Sequence, residues 1–159
     1  MIMAIRKVRT EEDDVLRIKC KKVAEINRGT RQLIGDMFET MYATNGVGLA
    51  APQIGVVKRI VVIDDTVGHK MALINPEFTL KEGEQDSDEG CLSLPGFRGK
   101  VKRPYKVQVK AFDENGEPVT IDAEGFLAVI LCHEIDHLDG ILYKDVAFLY
   151  EPIPPEEKE

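Results

Sequence analysis

Between Phe126 and His137, the apolar residues Phe126, Val129 and Ile130 and the histidines His133 and His137 fall at i, i+3, i+4, i+7 and i+11. That is the repeat of one helical face. No other segment constrains the fold as much. A helix with apolar residues and two imidazoles on one face must be covered by the rest of the protein, yet both rings must reach a common ligand. The spacing predicts a helix over 124–137, ended by Gly140. Histidines four apart chelate a divalent metal. Glu134 lies one step round, where its carboxylate can take a proton from water without occupying a coordination position. The chain has three histidines and two sit in this motif, so chance histidines on a surface helix are the weaker reading.

A third ligand is required. The spacing follows a metzincin peptidase until position 143, where Tyr143 stands in place of a histidine. A carboxylate ligand downstream of the helix, as in other zinc peptidases, would have to come from Asp145, Glu151 or the acidic tail, and neither peptidase plan fits easily. Three cysteines, Cys20, Cys91 and Cys132, form no disulfide framework. Cys132 precedes His133 and points away from the metal face, and Cys20 and Cys132 read as small buried hydrophobes. Cys91, between Gly90 and the short segment Leu92-Ser93-Leu94-Pro95, remains as the thiolate ligand.

The 159 residues, 43% hydrophobic and 31% charged, suit one soluble domain over 1–150 with an acidic, Pro-rich tail at 151–159 that frays. No apolar run approaches the roughly 18 residues of a membrane span, and the N-terminus lacks the apolar core of a signal peptide. A cytoplasmic protein with no membrane partner is expected. With 21 basic against 28 acidic residues the net charge is −7, which disfavours DNA or other bare nucleic acid as a partner.

Residues 11–22 run from acidic to basic and read as a solvated segment or a short helix. Leu33, Ile34, Met37, Phe38, Met41 and Tyr42 predict an amphipathic core helix over 30–44. The small residues of 45–55 suit neither helix nor strand and let a ligand approach the backbone. Strands are predicted at 59–64, 71–74, 77–81, 105–112 and 118–122, the last two around Glu114-Asn115-Gly116, in a mostly antiparallel sheet. The acidic stretch 82–89 and the basic stretch 97–110 read as solvated strand edges.

Gly46-Val47-Gly48-Leu49-Ala50-Ala51-Pro52-Gln53, Glu89-Gly90-Cys91-Leu92-Ser93 and His133-Glu134-Ile135-Asp136-His137 together resemble the three motifs of peptide deformylases, in order. The resemblance implies an α+β fold, with mostly antiparallel sheets packed around a central C-terminal helix carrying HExxH. It implies removal of the formyl group from the N-terminal formylmethionine of nascent polypeptides, releasing formate. It also implies a divalent metal, Fe2+ in the cell, with Zn2+, Ni2+ or Co2+ as replacements. Carried onto this chain, Cys91, His133 and His137 hold the metal and Glu134 shuttles the proton. The Gln53 side chain and the Leu92 backbone N–H hold the oxyanion. Val47, Gly48 and Gly90 receive the substrate backbone, and Phe126, Val129 and Ile130 its methionine side chain. Asp14 stands where the family carries proline. The acidic tail replaces the long basic C-terminal helix with which some members dock on the ribosome, so no ribosome contact by that route is expected. A zinc peptidase, which would cut unformylated peptides, and an inactive metal-bound module are the rivals; the presence of Glu134 and Gln53 weighs against the second.

Overall fold

A computed structural model describes residues 2–155. In chain order its elements are α1 (Arg28–Ala43), β1 (Gly48–Ala50), β2 (Ile60–Asp64), β3 (Lys70–Glu82), β4 (Gln85–Glu89), β5 (Phe97–Arg103), β6 (Lys106–Phe112), β7 (Pro118–Glu124), α2 (Phe126–Leu138), α3 (Tyr143–Val146) and β8 (Ala147–Pro152). They form a five-stranded sheet of order β1-β2-β3-β6-β7 and a three-stranded sheet of order β4-β5-β8, antiparallel throughout. This is the α+β arrangement expected from the sequence, with its antiparallel strands divided between two sheets.

The run Ile60-Val61-Val62-Ile63 is apolar at every position because both faces of the larger sheet are covered. Ile60 and Val62 pack with Leu33, Ile34, Met37 and Met41 of α1. Val61 and Ile63 pack with Leu127, Ala128, Ile130, Leu131 and Ile135 of α2. α2 is therefore buried on nearly all sides, well beyond the single face its periodicity suggests. A third cluster, Leu16, Leu94, Val101, Leu142 and Tyr143, lies under the smaller sheet.

α1 starts two residues before the expected Thr30 because Asn27 caps it: its side chain accepts from the Thr30 N–H at 3.1 Å, and Thr30 Oγ1 accepts from the Asn27 N–H at 3.2 Å. Tyr42, expected in the core, is 41% exposed and donates to Asp64 at 2.6 Å. The segment 11–22 is largely solvated, as expected, but it holds one tight helical turn, Asp14–Arg17, that is pinned to the body by the buried side chains of Leu16 and Cys20. The small residues of 45–55 do form structure: β1 pairs with β2, and Ala51–Ile54 is another tight turn.

The two strands expected at 71–74 and 77–81 are one, β3, with an irregularity between Ile74 and Glu77. Pro76 has no N–H to offer the ladder, and Asn75 turns at φ 54° with its side chain bonded to the Val23 backbone. The acidic stretch holds β4, and the basic stretch holds β5 and the start of β6. β4 and β5 pair with Asp86 opposite Lys102 and Asp88 opposite Lys100, at 3.0 and 2.9 Å. Such exposed pairs stabilise by at most about 1 kcal/mol each, and their effect is on register.

β8 corrects the expected fraying of the tail. Glu151 and Pro152 lie opposite Arg98 and Phe97, Glu151 pairs with Arg98 at 3.1 Å, and the Ile153 N–H donates to the Gly96 carbonyl at 2.9 Å. The boundary expected after residue 150 falls inside this strand; residues 156–159 lie outside the described part. Ending the chain at Tyr150 is expected to lower unfolding stability by roughly 1–2 kcal/mol, seen as a lower urea midpoint. An unchanged midpoint would show that the pairing of residues 151–153 contributes nothing.

Candidate metal centre

α2 delivers His133 and His137 from successive turns of a helix fixed on all sides. Cys91 sits just after β4 at the start of a turn closed by the Leu94 N–H donating to the Cys91 carbonyl at 2.9 Å. Cys91 Sγ lies 3.4 Å from His137 Nε2, and ligand atoms of Cys91, His133 and His137 all lie within 4.8 Å of one another. Metal–sulfur and metal–nitrogen bonds of usual length at a tetrahedral angle put S and N about 3.6 Å apart, so these donors fit one divalent ion. Asp145 and Glu151, the carboxylates a zinc peptidase plan would need, are instead paired with Arg17 and Arg98. Cys20 and Cys132 are buried in the main core, and burial pushes both thiols up to about 11.

Nothing in the spacing of the motifs indicates what holds His133. Its Nδ1 lies 2.8 Å from Glu89 Oε1. A carboxylate there requires the proton on Nδ1, which leaves the Nε2 lone pair for the metal. Glu89 also accepts two hydrogen bonds from Arg103, at 2.8 and 2.7 Å, and one from the Ser87 hydroxyl. Burial alone would raise the Glu89 carboxyl, but the bonds from Arg103 and His133 outweigh it and hold the group at about 2. Arg103, 5% exposed, reaches Asp136 on α2 at 2.9 Å as well. Tyr143 does lie beside the cluster, as a stacking face with no ligating role: its ring centroid is 5.8 Å from that of His133. Tyr150 meets Tyr143 edge-on at 5.6 Å and stacks on Phe97 at 5.0 Å.

A cleft of about 530 Å³ opens over Cys91, His133 and Glu134. Every residue proposed from the sequence for the substrate lines it: Val47, Gly48, Gly90, Phe126, Val129 and Ile130, together with Gln53 and Leu92. Val129 and Ile130 are buried, whereas Phe126 is 59% exposed and forms the rim. Phe97, Leu94, Pro95 and Ile153 add apolar surface to the lining, and no periodic pattern singled them out. His137 sits behind the cleft, 1% exposed, its Nδ1 without a partner among the described residues.

Glu134 is 6% exposed, and its Oε1 is likewise without a partner among the described residues. Burial pushes its carboxyl up to about 7, with His133 pulling the other way. A Cβ at Gly48 would come within 2.6 Å of Glu134 Oε2, so only glycine leaves the carboxylate its place. Gln53, 2% exposed, accepts the Ala50 N–H on Oε1 at 3.0 Å and turns Nε2 toward Ser93 Oγ at 3.2 Å and Cys91 Sγ at 3.5 Å. Replacing Glu89 with Gln should weaken metal binding about 10- to 100-fold in a chelator competition, because the imidazole loses its charged anchor. Unaltered affinity would show that Glu89 only balances Arg103.

Comparisons with known proteins agree with this geometry. Residues 5–149 match the family model described as polypeptide deformylase. The peptide deformylase of Acetivibrio thermocellus is 57% identical over 143 residues, 90% of this chain and 84% of that protein. Peptide deformylase 1 of Clostridium perfringens is 52% identical over 145 residues, 90% of this chain and 98% of that one. The crystal structure of a peptide deformylase from Legionella pneumophila is similar at a TM-score of 0.88 and 44% identity, covering 96% of this chain and 88% of that chain. One from Synechococcus elongatus, in complex with actinonin, gives 0.87 and 40%, covering 92% and 81%. With three donors converging beside a buried glutamate, and relatives matching over almost the whole length, the chain belongs to the polypeptide deformylase family, metal-dependent enzymes that remove the N-formyl group from nascent polypeptides.

Proposed function

We propose that the chain acts in the cytoplasm as a single catalytic domain on nascent N-formylmethionyl polypeptides, with Fe2+ held by Cys91, His133 and His137. The observation that carries the reading is the place of Glu134: buried, one oxygen without a partner among the described residues, beside the three donors and lining the same cleft as Val129 and Ile130. A thiolate with two imidazoles also accepts Zn2+, Ni2+ or Co2+, and supply decides among them.

When bound, the metal supplies a Lewis acid that makes water nucleophilic near neutral pH and polarises the formyl oxygen. The rest is done by the chain. Glu134 takes the proton from the attacking water and hands it to the amine nitrogen as the C–N bond breaks. The Gln53 amide and the Leu92 N–H stabilise the negative charge on the formyl oxygen. Val47, Gly48 and Gly90 offer backbone to an extended peptide, and Val129 and Ile130, with Phe126 at the rim, receive its first side chain.

The deciding assay is formate release from a formyl-Met peptide after anaerobic purification, with metal analysis on the same sample. Glu134→Gln should keep the fold and the metal and lower turnover roughly 10²-fold or more; near-full activity would remove Glu134 from its role. Selectivity gives a separate check. Acetyl-Met peptides should be very poor substrates, because Gly48, Gln53 and Glu134 crowd the reacting carbon, and a misplacement of about 1 Å can cost on the order of 10²-fold. Formyl-Ala should lose about 30-fold in kcat/KM against formyl-Met, from roughly 2 kcal/mol of lost burial. Equal rates for formyl-Ala and formyl-Met would show that Val129 and Ile130 do not form the side-chain pocket.

A further inference from the structure

We propose that Ser93 is a positioning residue that locks the amide plane of Gln53, so that one N–H is spent on Ser93 and the other is kept for the substrate oxygen. The proposal rests on the reading of Gln53 as an oxyanion donor. The Ala50 N–H can only donate, so the atom 3.0 Å from it is the Gln53 oxygen, and the amide nitrogen must point the other way. That nitrogen has two hydrogens and two neighbours, Ser93 Oγ at 3.2 Å and Cys91 Sγ at 3.5 Å.

The two neighbours are unequal. Ser93 is fully buried and Gln53 is 2% exposed, so water cannot replace the bond between them if it is lost. Sulfur is the poorer acceptor. The N–H on the Cys91 side is therefore the one that a charged oxygen in the cleft can claim, with the amide plane and the N–H on Ser93 unmoved. Ser93 belongs to the same turn as Cys91, which the Leu94 N–H closes onto the Cys91 carbonyl. The lock and the metal ligand are thus carried by one short piece of backbone. Ser93 touches no substrate and acts only through Gln53.

A double-mutant cycle on the metal-loaded enzyme tests this. Ser93→Ala is expected to lower kcat about tenfold with KM nearly unchanged, and Ser93→Cys, similar in size but a weaker acceptor, to fall between it and the parent. Gln53→Ala should cost about 10²-fold, and adding Ser93→Ala to it should cost nothing further. A second readout does not involve turnover. In the cobalt-loaded protein, the thiolate-to-metal absorption should shift in the same sense in Ser93→Ala and Gln53→Ala, because both alter the N–H bond to the Cys91 sulfur. If Gln53→Ala is slow while Ser93→Ala and Ser93→Cys match the parent, the lock is wrong and the role of Gln53 stands. If the two losses add in the double variant, Ser93 acts by another route and the proposal falls. Should Gln53→Ala keep full activity, the reading of Gln53 fails and the lock fails with it.

Discussion

Arg103 carries a full positive charge into a place that water hardly reaches, and this is tolerable only because Glu89 and Asp136 meet it there. Removing one partner from a buried pair of this kind typically costs about 3–5 kcal/mol. That is a large part of the 5–15 kcal/mol that holds a typical domain folded. The arrangement does more than balance charge. Glu89 ends β4, Arg103 ends β5 and Asp136 lies on α2 between the two histidines, so one guanidinium fixes the distance between the smaller sheet and the helix. Because Glu89 also holds the Nδ1 proton of His133, that distance sets the orientation of the His133 ring.

The elements visible in the sequence are those whose reason for existing is local. α2 shows itself through its period, α1 through its apolar stripe, and β2, β6 and β7 through runs of apolar and alternating residues that a covered sheet requires. β4 could not be read this way, because its inward residues are Gln85, Ser87 and Glu89, polar side chains on a buried face. Two of them serve the site: Ser87 and Glu89 belong to the network around Arg103 and His133. The partners of Glu89, Arg103 and His133, lie 14 and 44 residues away in sequence, a separation that no local pattern reports. β8 was hidden for another reason, since its last residues share the charge and proline content of a loose tail.

The proposed site divides in the same way. Spacing alone pointed to His133, Glu134 and His137, and elimination among three cysteines pointed to Cys91. The importance of Gln53 came only through resemblance to a family, because its neighbours Ala50, Ser93 and Cys91 come from two separate segments. Its oxygen is taken by the backbone of its own tight turn, and its nitrogen is left for the segment after β4. A buried amide with every neighbour assigned has one orientation available, which is what a preorganised donor needs.

From the ring of His133 the contacts run to Tyr143, from Tyr143 to Tyr150, and from Tyr150 to Phe97 on the lining of the cleft. Tyr143 is 2% exposed, and a Cβ at Gly99 would lie 3.0 Å from its ring, so this column has little room to yield sideways. The wall of the cleft and the imidazole of His133 are thus joined by an unbroken run of ring contacts. Because packed interiors leave little free volume, a change in the bulk of Phe97 at the cleft wall, or of Tyr150 stacked on it, bears on the packing around His133, some three rings away.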